Sequence, residues 1–268
     1  MKATVSDLMT RAPATVRDGA TLSAASATMD EAGVSALPVL DDHGHAIGVI
    51  SRSDLLRTAV QARPETTRHA LLSMPDTFVR SAMHRELVTV SPSTSVVEAA
   101  QLMVDRHIHR VFVESARELV GVLSATDLVR CVARRRLETP LGSLMHSPVA
   151  AIPTDTPLSV ALAELGSHGV DALLVAEHDE AVGLFTQADA IAARALDDDV
   201  PVEDAMSRRY IAELAATPVH RAAARAAALD VKHVLVRDAQ QGPEGLCTPG
   251  IVGIVTRLDM AGAILLAR

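Results

Sequence analysis

Gly121-Val-Leu-Ser-Ala-Thr-Asp127 is the stretch of this sequence that decides the fold. It consists of a glycine, two apolar residues, a hydroxyl residue and, three residues further on, an aspartate. The same heptapeptide pattern occurs at Gly48–Asp54, Gly183–Asp189 and Gly253–Asp259. The four aspartates are separated by steps of 73, 62 and 70 residues. A pattern that returns at nearly regular steps predicts four copies of one structural unit.

A methionine at the end of a short helical opening precedes each heptapeptide, and it is a second marker of the repeat. The distances from this methionine to the following aspartate are 45, 44, 44 and 53 residues, for Met9, Met83, Met145 and Met206. The longer fourth distance is explained by an insertion rich in Gly and Pro at 240–249, which is typical of a surface loop between two strands. Each methionine is interpreted as the start of the repeat whose heptapeptide follows it.

The segments between the two markers predict the same order of elements. In the first repeat a helix begins near Thr21, with Leu22, Ala25 and Met29 on one face. Two apolar segments, 36–40 and 47–50, then predict strands, and a helix follows Ser51. Each repeat is therefore predicted as β-α-β-β-α, in the α/β (α+β) class.

Four β-α-β-β-α units with this heptapeptide resemble the CBS domain, the module named after cystathionine β-synthase. The resemblance covers nearly the whole chain and implies that the units pair in tandem as Bateman modules. The expected repeats are 1–59, 79–133, 140–196 and 200–268, with one module over 1–133 and the other over 134–268. Pairing buries the sheet face that a single repeat leaves uncovered.

Composition excludes several other classes of protein. The formal charge is −8 and the basic residues are scattered, so the basic stripe that nucleic-acid binding needs is absent. The sequence contains neither an apolar run of about 18 residues nor a signal peptide, and its two cysteines suit a reducing compartment. We therefore expect a cytoplasmic protein without a membrane span. With no Trp and only three Phe, small and β-branched residues must fill the core, which favours closely packed helices.

The heptapeptide has a physical logic for a nucleotide ligand. Its glycine allows close approach of the backbone, and its hydroxyl lies at a helix N-terminus, where free N–H groups attract phosphate. Its aspartate can accept two hydrogen bonds from a ribose diol. The resemblance implies an adenosine ligand at Ser51/Asp54, Ser124/Asp127, Thr186/Asp189 and Thr256/Asp259. The alternative is purely structural, because Ser/Thr-x-x-Asp is also a helix-capping pattern.

Residues next to the central strand of each repeat rank the four sites. Arg110 in the second repeat offers a fork of donors suited to phosphate, although it could equally be a solvated side chain paired with a carboxylate. In the fourth repeat, Lys232 and His233 are basic residues at the matching position and form a weaker version of this phosphate site. The first repeat has only the uncharged Ser35 and Ala36 there. In the third repeat, Asp171 would repel phosphate but would accept an adenosine without phosphate, such as S-adenosylmethionine.

The leading hypothesis is a regulatory protein that senses AMP, ADP, ATP or a related adenosine compound and signals to a partner protein. No obligatory cofactor is expected. We do not expect an enzyme, because the sequence offers neither a metal-ligand cluster nor a nucleophile–base pair outside the repeats. The alternative is a scaffold whose sites bind nothing. We expect either a homodimer or four repeats packed together within one chain.

Overall fold

A computed structural model describes residues 3–61, 75–167, 170–178, 180–193, 196–238 and 250–267. The insertion predicted at 240–249 lies outside these residues. After a first short strand, β1 (Thr10–Arg11), the four repeats have the same order of elements. They are β2 (Val16–Arg17), α1 (Leu22–Glu31), β3 (Ala36–Leu40), β4 (Ala46–Ser51) and α2 (Arg52–Gln61); then, after α3 (Val79–Ala82), β5 (Thr89–Val90), α4 (Val96–Asp105), β6 (Arg110–Ser115), β7 (Glu118–Ser124) and α5 (Ala125–Arg135); then β8 (Ala151–Pro153), α6 (Leu158–Ser167), β9 (Ala172–Glu177), β10 (Glu180–Thr186) and α7 (Gln187–Ala192); and finally β11 (Ile211–Leu214), α8 (Val219–Ala228), β12 (His233–Arg237), β13 (Ile251–Thr256) and α9 (Arg257–Leu266). The predicted fold class is confirmed.

Each repeat builds its own small sheet with one topology. The middle strand, for example β3, pairs in parallel with the strand before it and antiparallel with the strand after it. All four antiparallel ladders skip one residue immediately before the heptapeptide glycine, at Ile47, Val120, Val182 and Val252. Such a bulge bends the strand and increases its twist, and here it lies where the heptapeptide begins.

The first repeat illustrates why the elements form where the sequence predicts them. The hydroxyl of Thr21 accepts a hydrogen bond from the backbone N–H of Ala24 and caps α1. Leu22, Ala25 and Met29 are buried on the inner face of this helix. Gly33 follows the helix with φ of +63°, a left-handed conformation that glycine adopts without a steric penalty.

Each opening methionine packs on the heptapeptide glycine of the partner repeat rather than on the glycine that follows it in its own repeat. Met9 lies on Gly121 of the second repeat, and Met83 lies on Gly48 of the first. The second half repeats the exchange, with Met145 on Gly253 and Met206 on Gly183. The 44-residue spacing is regular in sequence, but each opening segment crosses to the heptapeptide of its partner repeat.

The crossing segments also form backbone hydrogen bonds with the strand that carries the partner's glycine. Val49 and His84 exchange two N–H···O bonds of 2.9 Å, and β1 pairs antiparallel with β7. His146 with Ile254, and Ser207 with Leu184, make the equivalent pairs of bonds in the second half. The heptapeptide glycine is therefore required by the approach of protein backbone and a methionine sulfur, rather than by the approach of a nucleotide.

The two halves of the chain pack together through their helices. α5 contacts α8 and α9, α4 contacts α9, and α2 contacts α7. One buried cluster joins the second and fourth repeats, and α8 contributes Ala222, Ala223 and Ala226 to it. Gly262 in α9 lies against Val104 of α4, so that a Cβ atom there would be 3.5 Å from its methyl group. Small side chains bring these helices close together, as the composition predicts.

Replacing Gly48 by alanine is expected to destabilise the fold by about 1–3 kcal/mol through overpacking. The added methyl group would overlap the carbonyl oxygen of His84 and lie 3.2 Å from the Met83 sulfur. The matched control is Gly166→Ala in α6, where a Cβ atom meets nothing within 4 Å and helix propensity favours alanine by roughly 0.5–1 kcal/mol. Urea unfolding of both variants checks the prediction, and equal stability of Gly48→Ala and wild type would contradict the crossing geometry.

Candidate functional site

All four heptapeptide aspartates lie in the first turn of a helix and take part in the cap at its N-terminus. One oxygen of each carboxylate, Oδ2, accepts hydrogen bonds from the backbone N–H and from the hydroxyl of the Ser or Thr three residues earlier. The hydroxyl bonds measure 2.6 Å for Ser51–Asp54, Ser124–Asp127 and Thr186–Asp189, and 2.7 Å for Thr256–Asp259. Each repeat therefore contains a reciprocal capping box.

The capping boxes give these Ser, Thr and Asp residues a structural role, and they use only one of the two carboxylate oxygens of each aspartate. Oδ2 is used by the fold in every repeat, so only Oδ1 is available for other contacts. Helix capping alone is reason enough for Ser/Thr and Asp at these positions, as the structural alternative states. A ligand that binds these aspartates would have to bind through Oδ1, the oxygen that takes no part in capping.

A cavity of about 470 Å³ lies where the four repeats meet. Its walls include eight of the eleven residues predicted from the sequence to bind a ligand: Ser51, Asp54, Arg110, Ser124, Thr186, Lys232, His233 and Thr256. The other three, Asp127, Asp189 and Asp259, are not among its lining residues. A cavity of this volume is in the range of small-ligand pockets.

Arg110 enters this cavity from the start of β6 and reaches across to the first repeat. Its guanidinium donates hydrogen bonds to the Ser35 hydroxyl (2.6 Å) and to the Ala36 carbonyl (3.0 Å). No carboxylate of the described residues pairs with it, so the ion pair considered from the sequence is not formed within this part of the chain. Burial lowers the pKa of Arg110 to about 10, which leaves it charged at neutral pH. Arg110 therefore places a positive charge beside Ser35 and Ala36, where the first repeat has none of its own.

The fourth repeat contributes a lysine and a histidine, and the pKa values of both side chains are lowered. Lys232 has its pKa lowered by burial and by the nearby charges of Arg257 and Arg52. His233 is only 7% exposed, and burial lowers its pKa to about 4. The imidazole of His233 is therefore neutral at pH 7 and can contribute a hydrogen bond but no charge to an anion site.

Asp171, expected to repel phosphate from the third repeat, faces His109 of the second repeat. The His109 Nε2 and Asp171 Oδ2 atoms are 3.5 Å apart. The hydrogen bond from His109 keeps the pKa of Asp171 below its usual value despite partial burial, so the carboxylate is charged at neutral pH. Its negative charge is directed at a histidine across the junction of the two halves.

Two further contacts in the cavity walls join the halves of the chain. Ser53, in the first heptapeptide, is hydrogen-bonded to Gln187, which follows Thr186. Thr126, in the second heptapeptide, accepts a 2.9 Å hydrogen bond from Arg257, which follows Thr256. The first turns of all four heptapeptide helices are thus linked in pairs across the junction.

Sequence reasoning missed the cavity residues that the crossing segments supply. His84 and Glu86 follow the opening methionine of the second repeat, and both line the cavity. The same cavity is lined by Val88 and by Phe112, which is 3% exposed. Only the methionine marker could have pointed to His84, and only if the exchange between partner repeats had been foreseen.

The described residues lack two features that would indicate other functions. They contain no helix long and apolar enough to cross a membrane. They also contain no group of three or more His, Cys, Asp or Glu side chains arranged to hold a metal ion.

Comparison with known proteins identifies relatives of this chain. It is 32% identical over 147 residues to the CBS domain-containing protein YhcV of Bacillus subtilis, covering 54% of this chain and 97% of that protein. It is 26% identical over 178 residues to an uncharacterized 33.4 kDa protein of Thermofilum pendens, covering 61% of this chain. The match spans about half (55%) of the length of the Thermofilum protein. The γ-3 subunit of bovine 5′-AMP-activated protein kinase is 29% identical over 101 residues, which are 37% of this chain and 20% of that subunit.

A solved structure from Methanocaldococcus jannaschii, proposed as an archaeal homologue of g-AMPK, has the same fold. It superposes with a TM-score of 0.79 at 17% identity, covering 98% of this chain and all of the other. The family model for the CBS domain matches residues 5–60, 79–134 and 141–196, which is more than half of the chain. The chain therefore belongs to the CBS domain family.

Proposed function

We propose that this protein is a regulatory sensor that binds an adenosine phosphate in the central cavity and signals to a partner protein. The observation that carries the proposal is Arg110, a partly buried cation that has no carboxylate partner among the described residues. A buried charge is costly unless an opposite charge or several hydrogen bonds compensate it. A phosphate group in the cavity would supply the missing anion, and a guanidinium matches its oxygens in a bidentate manner.

The remaining walls of the cavity suit the other parts of such a ligand. The hydroxyl residues Ser51 and Ser124 line it together with Arg110. Val88 and Phe112 offer apolar surface for a purine base. Asp54 is the heptapeptide carboxylate that lines the cavity, and its oxygen Oδ1, which takes no part in capping, would accept a ribose hydroxyl. The kinship with an AMP-activated kinase subunit supports an adenosine nucleotide as the ligand class.

The fourth repeat is proposed as a CBS repeat like the other three, so that the chain forms two Bateman modules. Its elements from β11 to α9 have the same order and the same pairing of strands as the other repeats. The exchange of Met145 and Met206 between the third and fourth repeats matches the exchange of Met9 and Met83 between the first and second. The boundaries given from the sequence remain predictions.

The proposed role is regulatory rather than enzymatic. A relative named as the γ-3 subunit of a 5′-AMP-activated protein kinase supports this role, and a sensor needs only to bind its ligand differently in two conformations. The scaffold that binds nothing is the second candidate, favoured by the capping boxes, which explain the heptapeptides without any ligand. A homodimer, a partner protein and a cytoplasmic location remain predictions.

At least one of AMP, ADP and ATP is expected to raise the unfolding temperature of the protein. S-adenosylmethionine, which has no phosphate, is tested beside them. A ligand at 100 times its dissociation constant, binding only the folded state, adds about 2.7 kcal/mol of stability. Thermal unfolding with each compound at millimolar concentration measures this. A flat response to all four compounds would favour the scaffold.

Arg110→Ala is expected to weaken binding of the phosphorylated ligand by roughly 10- to 150-fold, the loss of one or two charge-assisted hydrogen bonds. Adenosine itself should lose little affinity, because it has no phosphate for the guanidinium to bind. The control is Arg134→Ala, an exposed arginine near the end of α5 whose side chain is bonded to the Arg130 carbonyl. Isothermal titration of AMP and adenosine into each variant provides the comparison, and equal losses for both ligands would exclude a phosphate contact.

His233 is expected to make the wild type lose stability on mild acidification. Its pKa is about 4 in the folded protein and about 6.5 in the unfolded chain, so protons bind preferentially to the unfolded chain as the pH falls below 6.5. Relative to His233→Gln, the wild type should lose about 2 kcal/mol between pH 7.5 and pH 5. Urea unfolding at the two pH values tests this, and parallel changes in both proteins would show that His233 is not held neutral.

A further inference from the structure

The four heptapeptide carboxylates differ in how much hydrogen-bonding capacity the fold leaves free. An ionised carboxylate has about four acceptor positions, two on each oxygen. At Asp54 all of them are used. Oδ2 accepts from the N–H and the hydroxyl of Ser51, Oδ1 accepts from Arg57 at 2.8 Å, and the Nε2 atom of His84 lies 2.7 Å from Oδ1. Asp54 lines the cavity beside Arg110, yet it has no position left for a ribose hydroxyl.

The other three carboxylates are less fully occupied at Oδ1. Asp259 accepts a hydrogen bond of 2.9 Å from His146. Asp127 has only a long contact of 3.4 Å from Arg130. Asp189 has no hydrogen-bond partner at this oxygen among the described residues, and burial raises its pKa. Two of the four repeats therefore have a histidine on the oxygen that capping leaves over.

Both histidines come from the crossing segments and occupy equivalent positions. His84 directly follows the opening Met83, and His146 directly follows Met145, so each contacts the aspartate of its partner repeat. The residues at the same position in the other two crossings are Thr10 and Ser207. Neither short side chain is hydrogen-bonded to the partner aspartate within the described residues, and the Ser207 hydroxyl instead accepts from the Arg209 N–H.

The His84 side chain is free to leave its aspartate. It is 58% exposed, whereas the Asp54 side chain that it contacts is only 4% exposed. The backbone of His84 is fixed by its two hydrogen bonds to Val49, so the imidazole can turn away without moving the crossing segment. Departure of the imidazole would open one acceptor position of Asp54 towards the cavity that Ser51 and Arg110 also line.

We propose that His84 occupies the ribose-binding position of Asp54 in the ligand-free protein, so that a nucleotide entering the cavity must displace its imidazole. The inference rests on the proposed function and adds a specificity-determining residue to it: His84, the residue after the opening Met83, sets how readily Asp54 of the partner repeat accepts a ribose. A ribose hydroxyl at Asp54 replaces the existing contact with the His84 imidazole instead of adding a new one, which lowers the affinity of that site.

The test is isothermal titration of AMP into wild type, His84→Ala and His84→Gln. Removing the imidazole is expected to tighten AMP binding at this site by about threefold to tenfold, because the ribose no longer competes for Asp54. Glutamine keeps a donor that can reach the carboxylate, so His84→Gln should bind AMP like the wild type. Thr10→Ala, at the equivalent position without a contact to Asp127, is the matched control and should change nothing. Thermal unfolding of each variant establishes that it is folded.

A second readout follows the imidazole itself. In wild type, the His84 ring resonances, assigned by their loss in His84→Gln, should shift as AMP is added. AMP binding of unchanged or lower affinity in folded His84→Ala, or ring resonances that do not move while AMP binds, would overturn the displacement. If none of the proteins bound AMP, ADP or ATP, the proposed function would fail, and this inference with it. The two failures are therefore distinguishable.

Discussion

The packing of a methionine sulfur on a bare glycine in the partner repeat is the contact on which the rest of the structure depends. It occurs four times, and at each one the crossing segment also forms hydrogen bonds with the strand that carries the glycine. No side chain larger than a hydrogen atom fits at these positions, since a Cβ atom at Gly121 or Gly253 would lie 2.7 or 2.6 Å from the sulfur. Because each repeat completes the sheet region of its partner, neither member of a pair has its native surroundings alone.

The same crossing places the candidate site at a boundary between chain segments. The heptapeptide comes from one repeat, while His84, Glu86 and Val88 come from the segment that crosses to it. Arg110 adds a third contribution, from the strand β6, and spans to Ser35. Residues that converge from three segments can respond to relative movement of the repeats, which is the geometric requirement for a ligand to favour one arrangement over another.

Within the heptapeptide, one aspartate has both a structural and a proposed chemical role, and the two are divided between its oxygens. Oδ2 is committed to capping in all four repeats, and the surroundings of Oδ1 differ from repeat to repeat. The pairing of Ser53 with Gln187 and of Thr126 with Arg257 joins these capped helices across the two halves. The first turn of each heptapeptide helix is thereby in direct contact with the equivalent turn of another repeat, so a movement of one turn acts on the other.

The local structure could be predicted from the sequence alone. The strand 36–40 and the helix that Thr21 caps form as predicted, because capping residues and apolar periodicity act over a few neighbouring positions. Four recurring heptapeptides were enough to predict four similar units and the residues that could meet a ligand. The overall composition, with no Trp and only three Phe, also predicted close helix packing, because packing distance depends on side-chain size.

Two features became visible only in the tertiary structure: which repeats contact each other through their methionines and glycines, and whether the charge of Arg110 has an acidic partner. Met9 precedes Gly48 in sequence but packs on Gly121, since spacing along the chain is the same whether or not segments are exchanged. Arginine is a residue type that binds phosphate, so the sequence could single out Arg110. Only the structure shows that its guanidinium is bonded to Ser35 and Ala36 of the first repeat and to no carboxylate of the described residues. His84 and Asp54 are 30 residues apart, and no local pattern links them. Their contact exists because a long-range crossing brings the imidazole to the one oxygen that capping leaves over.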